Sequence, residues 1–148
     1  MSEFIAYFNG NWIPKSECKV HISDRGFALG DAIYEAERTF GGKIFDLDGH
    51  MDRLFRSLKY VRIDPSVTYE ELNALCIESV ERNMHMWKDG HDFALRQYMT
   101  RGSGSSVSET VPPVVYVGVD YVAFRRFSKM YDEGGHVVFA RSRSSYLR

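Results

Sequence analysis

The chain has 148 residues, 44% of them hydrophobic and 14% aromatic, which suffices for one well-buried domain and the start of another. A formal net charge of −1 supplies no basic field, so neither nucleic acid nor an anionic membrane surface is expected as a partner. Two cysteines in unlike contexts, Cys18 and Cys76, no apolar membrane span and an N-terminus unlike a secretory leader point to a reducing, cytoplasmic setting.

Phe4 to Phe8 and Asn11 to Pro14 read as two short strands around Asn9-Gly10, a dipeptide suited to a tight hairpin turn. Ser23-Asp24-Arg25-Gly26 breaks the pattern. Ala32 to Phe40 resumes it, and Gly41-Gly42 turns the chain into Lys43 to Phe45, a second hairpin. Met51, Leu54, Phe55, Leu58 and Val61 then recur at helical spacing up to Asp64-Pro65, where a proline disfavours further helix. Thr68 and Glu71 have capping-box spacing ahead of a second apolar stripe, Leu72, Leu75, Cys76, Val80 and Met84.

Three later segments, Phe93 to Thr100, Val114 to Val122 and His136 to Arg141, are rich in strand formers. Strands, then two helices, then strands predict an α+β fold, mainly an antiparallel sheet with two helices packed on it, rather than a doubly wound sheet. Residues 1–123 are expected to form that domain, residues 124–135 a connector, and residues 136–148 the first strand of a second domain, truncated at its start.

For chemistry, the richest cluster is His50, Arg53 and Ser57, which share one helical face at intervals of three and four. An arginine there suits an anion because its planar fork donates parallel hydrogen bonds and keeps its charge. The same spacing also describes a solvated helix face. The five histidines show no ligand spacing with Cys18 or Cys76, and neither C-x-x-C nor H-E-x-x-H occurs, so no metal site is expected. No glycine-rich phosphate loop is found. Alternation places Arg96, Tyr98 and Thr100 on one face of their strand, and Tyr34 and Glu35 on opposite faces of theirs.

The run from Phe27 to Ile63 resembles the N-terminal domain of class IV aminotransferases. Asp24-Arg25-Gly26 with Gly30-Asp31 matches that family's DRG-x-x-x-GD run, Tyr34-Glu35 its following strand, His50-Met51-Asp52-Arg53-Leu54 its H-x-x-R-L element, and Thr100-Arg101-Gly102 its T-R-G strand end. The resemblance implies pyridoxal 5'-phosphate (PLP) as cofactor. It implies that Arg53 binds the cofactor phosphate, with His50 supporting that helix start. It further implies that Tyr34 lines the substrate pocket, with Arg38, Arg96 and Tyr98 as further candidates to meet substrate. Arg38, Arg96 and Tyr98 also read as polar residues on a solvated strand face.

The departures from the family pattern bear on substrate and on completeness. Ser103 to Pro113 carries neither the arginine nor the histidine with which D-amino acid aminotransferases hold the substrate carboxylate, and Leu29 stands where branched-chain enzymes commonly have tyrosine. The lysine that joins PLP is expected beyond Arg148, because Lys15, Lys19, Lys43, Lys59, Lys88 and Lys129 all precede the strand it should follow. No catalytic residue is therefore assigned, and the 148 residues alone are expected to be inactive.

The resemblance implies exchange of an amino group between an amino acid and a 2-oxo acid, with a branched-chain or related L-amino acid slightly preferred and a homodimer when complete. D-amino acid aminotransferase and aminodeoxychorismate lyase share the scaffold and stay open. A non-catalytic α+β domain that associates with a partner chain is the alternative from another class.

Overall fold

The computed structural model describes residues 3–88, 90–104 and 111–139, with the side chains of 125–127 left aside. The chain opens with a hairpin, β1 (Ile5–Phe8) and β2 (Asn11–Pro14), turned at Asn9-Gly10, where both residues have positive φ. A five-residue helix α1 (Arg25–Leu29) leads into β3 (Ala32–Phe40), which pairs with the short β4 (Lys43–Ile44). Two helices follow, α2 (Leu47–Val61) and α3 (Tyr69–Arg82), then β5 (Phe93–Thr100), β6 (Val114–Tyr121) and α4 (Phe124–Glu133).

The six strands form one sheet in the order β2-β1-β6-β5-β3-β4, with every pair antiparallel. This is the α+β architecture that the order of elements predicts. Both long helices lie on one face. Met51, Leu54 and Leu58 of α2 and Leu72, Cys76 and Val80 of α3 bury against Leu95, Met99, Val117 and Val119 of the central strands. The helical and two-residue periods therefore meet in a single core. On the opposite face the short helix α1 lies against Thr100 at the end of β5, and neither α2 nor α3 covers it.

Thr68 caps α3 as its spacing predicts: its hydroxyl accepts from the Glu71 amide at 3.2 Å while the Glu71 carboxylate accepts from the Thr68 amide at 2.7 Å. Helix α2 ends at Val61, before the expected Asp64-Pro65 stop. Arg62 takes a left-handed conformation there, and Arg101, from the end of β5, donates to the Val61 and Arg62 carbonyls at 2.8 and 2.7 Å. A cation from a distant strand thus ends the helix, which no local pattern announces.

The D-R-G, G-D and T-R-G motifs meet at one place and build the frame around the start of β3. Asp24 caps α1 through the Gly26 and Phe27 amides and accepts from the Thr100 hydroxyl at 2.6 Å. Arg25 and Arg101 both bind Asp31, and the Arg101 hydrogen bond, the larger influence, holds the Asp31 carboxyl below its ordinary range. Gly102 has φ +84° and no room for a Cβ, because the Pro112 carbonyl already fills that space.

Two expected elements differ. The stretch 124–135, expected as a connector, is helical over Phe124–Glu133, which contains no Gly, Pro or β-branched residue to oppose a helix. Residues 136–139, the described part of the strand expected from 136, form no strand. Val137, Val138 and Phe139 are fully exposed with no neighbouring strand to pair with among the described residues, and a ladder needs one. Residues 140–148 of that expected strand lie outside the described residues.

Candidate functional site

Strand β3 divides the sequence-derived candidates between its two faces. Glu35, Glu37 and Thr39 point under the helices, while Tyr34, Ala36, Arg38 and Phe40 point to the open face. Arg53, on the second turn of α2, meets the covered side of β3. Its Nε donates to Glu35 Oε2 and its Nη2 to Glu35 Oε1, both at 2.6 Å, a bidentate pairing. Nη2 also reaches His50 Nδ1 at 3.1 Å.

Burial raises the Glu35 carboxyl, but the Arg53 hydrogen bonds, with that of the Ala36 amide, outweigh it and hold it below the usual range. The Glu35 bonds in turn push Arg53 up, so both stay charged. Arg53 nonetheless keeps 55% of its side chain exposed, and among the described residues Nη1 has no hydrogen-bond partner. The guanidinium is therefore fixed at one edge and free at the other. Ser57, the third member of the sequence cluster, turns its hydroxyl back to the Arg53 carbonyl at 2.8 Å and takes no part.

The remaining candidates share the open face. Tyr34 pairs with Tyr98 and Tyr98 with Tyr116 across β3, β5 and β6, and Phe8 of β1 continues the rung. The Tyr34 and Tyr98 rings stack at 5.9 Å and the Tyr98 and Tyr116 rings tilt at 5.6 Å. Tyr34 is 67% exposed. A cavity of about 290 Å³ opens beside this ladder, bordered by Phe8, Lys15, Tyr98 and Tyr116.

One rung away, Arg96 lies between Ala36 and Gly118, and the Tyr116 phenol folds over that glycine, where a Cβ would collide with it. Arg96 donates to Asp120 at 2.9 Å, and Lys15 binds the other oxygen of the same carboxylate. Burial foremost, with Asp120 second, pushes the Tyr116 hydroxyl upward, so it keeps its proton.

Arg38 differs from Arg96 in how fully it is engaged. It donates to Asp92 at 2.8 Å and to the Thr39 carbonyl at 3.2 Å, and its guanidinium lies 4.0 Å from the Phe40 ring centroid and 4.9 Å from that of Phe124. Its geometry ties the edge of β3 to the start of α4. The structure thus gathers Tyr34, Arg96 and Tyr98 on neighbouring rungs, holds Arg38 at the margin, and sets Arg53 on the other face.

Sequence reasoning missed the groups that fix these cations: Glu35 as the partner of Arg53, Asp120 and Lys15 around Arg96, and Asp92 on Arg38. Only Glu35 left a signal, since alternation sets it opposite Tyr34 and beside Glu37, two acids on the side that the helices cover.

Comparison with known proteins gives the following. The amino-transferase class IV family matches residues 32–131. A D-alanine aminotransferase from Bacillus licheniformis is 40% identical over 95 residues, covering 64% of this chain and 32% of that protein. A protein named as a branched-chain-amino-acid aminotransferase from Methanocaldococcus jannaschii is 34% identical over 98 residues, covering 66% and 32%. A hypothetical aminotransferase from Mycobacterium tuberculosis, solved in a PLP-bound form, superposes with a TM-score of 0.72 at 20% identity over 86% of this chain and 43% of that one. The chain spans about a third of the length of the curated relatives it matches.

Proposed function

The chain belongs to the class IV aminotransferase family, and from that premise we propose that it is the phosphate-anchoring and substrate-facing part of an enzyme that exchanges an amino group between an amino acid and a 2-oxo acid. The family uses PLP, and the residues present fit that group at one point in particular. Arg53 is held rigid by Glu35 through Nε and Nη2, while Nη1 faces outward with no partner among the described residues. That half-committed guanidinium is the observation that carries the reading.

In this reading Arg53 holds the cofactor phosphate, and Glu35 keeps the fork from following the ligand into solvent. When bound, PLP supplies the electron sink for bond changes at the amino acid's α-carbon. Tyr34 and Tyr98 wall the substrate with aromatic faces. Arg96 offers its charge to a substrate carboxylate in exchange for Asp120, which Lys15 continues to neutralise. Arg38, close to the Phe40 and Phe124 rings and bound to Asp92, acts at the rim of that face. The lysine joined to PLP is placed beyond Arg148, and a homodimer in the cytoplasm belongs to the same proposal.

Replacing Arg53 by alanine in a protein of the family's full length is expected to weaken PLP binding by about 2–4 kcal/mol, through loss of one charge-assisted anchor. Titration of cofactor followed by absorbance measures it. Unchanged affinity would overturn the assignment.

A branched-chain or related L-amino acid is the preferred substrate, because the cavity beside the aromatic ladder is largely apolar and the loop 103–113 brings no cation. The Bacillus licheniformis relative favours a second reading, a D-amino acid. Amino-donor assays with L-leucine and D-alanine separate the two.

A further inference from the structure

Beneath β3 lies a carboxyl that the proposed function does not use. Glu37 sits two residues beyond Glu35 on the same covered face, and none of its side chain is exposed. Its Oε1 accepts from Gln97 Nε2 at 2.6 Å, and the same nitrogen lies 3.0 Å from Cys76 Sγ. Its Oε2 is buried without a hydrogen-bond partner and faces His50 Nδ1 across 3.9 Å, too far for a bond.

An ionised carboxylate would leave a bare negative oxygen in that position, which is far costlier than a neutral acid. The charged or titratable groups that face Glu37 are few: Glu35 from its own strand, His50 and Arg53 from α2, and Cys76 from α3. Arg53, the fixed cation among them, is already bound to Glu35. Burial pushes the Cys76 thiol up to about 12, so it offers no charge. Burial, against the opposing Gln97 bond, pushes Glu37 up to about 7.

His50 connects this acid to the anchor. His50 Nδ1 lies 3.1 Å from Arg53 Nη2 and 3.4 Å from Glu35 Oε1, and because a guanidinium can only donate, the shorter contact is a hydrogen bond when Nδ1 accepts and the ring hydrogen sits on Nε2.

We propose that Glu37 is a positioning residue for Arg53, carrying a proton so that His50 Nδ1 stays free to accept from the guanidinium. The proposal rests on the reading of Arg53 as the phosphate anchor. When Glu37 ionises, its O–H bond breaks and the proton goes to water. The bare Oε2 then draws an N–H toward it, and the His50 hydrogen relocates from Nε2 to Nδ1 by exchange with water. Nδ1 can no longer accept from Arg53 Nη2, and a second negative charge stands behind the anchor. Both changes weaken its hold on an anion.

The test is nuclear magnetic resonance on the 148-residue chain between about pH 6 and about pH 8.5, following Glu37 Cδ, the His50 ring nitrogens and the Arg53 Nε–H. The expected result is a Glu37 carboxyl that is protonated at the lower pH, with a midpoint near 7 shared by a change of the His50 hydrogen from Nε2 to Nδ1. In Glu37→Gln, which keeps the protonated shape at every pH, that change is lost. A Glu37 Cδ already ionised at the lower pH, or a His50 change that persists in the variant, overturns the proposal; the wild-type Cδ signal decides even if the variant does not fold.

Sulfate, a tetrahedral dianion that does not titrate in this range, separates the two readings. A shift of Arg53 Nε–H on adding sulfate, larger at the lower pH, supports both. A Glu37 titration accompanied by relocation of the His50 hydrogen, with no response of Arg53 to sulfate, removes the anchor and leaves the positioning of its guanidinium standing.

Discussion

On the covered face of the sheet, Glu35 holds Arg53 through two short bonds, its own carboxylate sheltered beneath the helices. On the open face, Arg96 shares Asp120 with Lys15 amid half-exposed tyrosines, and Arg38 divides itself among Asp92, Phe40 and Phe124. One strand, β3, supplies both faces by alternation. The difference teaches how one domain would serve the two tasks proposed for it. A rigid anchor needs a carboxylate sheltered from water, whereas a substrate surface needs cations whose partners can be exchanged, and exposed pairs of that kind are weak.

The sharpest way to break this comparison is to remove equal amounts of side chain from each face. Leu95→Ala, on the covered face of β5, is expected to cost about 2–5 kcal/mol in denaturant unfolding, since Leu95 is fully buried between sheet and helices. Equal losses for Leu95→Ala and for an open-face truncation on the same strand would mean that the open face is packed like the core.

A second test uses pH. The Glu37 carboxyl has an ordinary value of 4.5 in the unfolded chain and is pushed up to about 7 when folded. Its contribution is therefore fully present below about pH 4.5 and is lost as pH rises through about 7, a change of about 3 kcal/mol. Glu35 and Asp31, held low by their arginines, act in the opposite sense, and their contributions are lost only in acid. Melting temperatures between about pH 5 and about pH 8 are expected to fall in the wild type and to stay level in Glu37→Gln. A level wild-type profile would place Glu37 in water.

The smallest effect is expected for Tyr98→Ala. Tyr98 keeps 40% of its surface exposed and stacks on Tyr34, so its truncation is expected to cost no more than about 1 kcal/mol by the same unfolding measurement. On the proposed function, its consequence falls on substrate affinity instead.

How much of this was legible in the chain differs by face. Alternation alone put Arg96 and Tyr98 together and Glu35 opposite Tyr34, because a strand's period leaves no other choice. The capping box at Thr68 and Glu71 was equally plain. The partners were not: Glu35 and Arg53 are 18 residues apart, Arg96 and Asp120 are 24, and Arg38 and Asp92 are 54, separations set by sheet order rather than by any local pattern. Helix α1 escaped notice because five residues carry no period, although Asp24 before Gly26 was a usable cap signal. The helix at Phe124–Glu133 occupies most of the stretch expected as a connector, and its helical form was not read from the sequence.

The central claim is that Arg53 presents one free edge of its guanidinium to the cofactor phosphate while Glu35 grips the other. A crystal structure of a protein of the family's full length carrying this segment, grown with PLP, tests it directly. The account predicts Arg53 Nη1 in hydrogen-bonding distance of a phosphate oxygen with both Glu35 bonds retained. A phosphate held by other residues, with Arg53 still facing solvent, would contradict it.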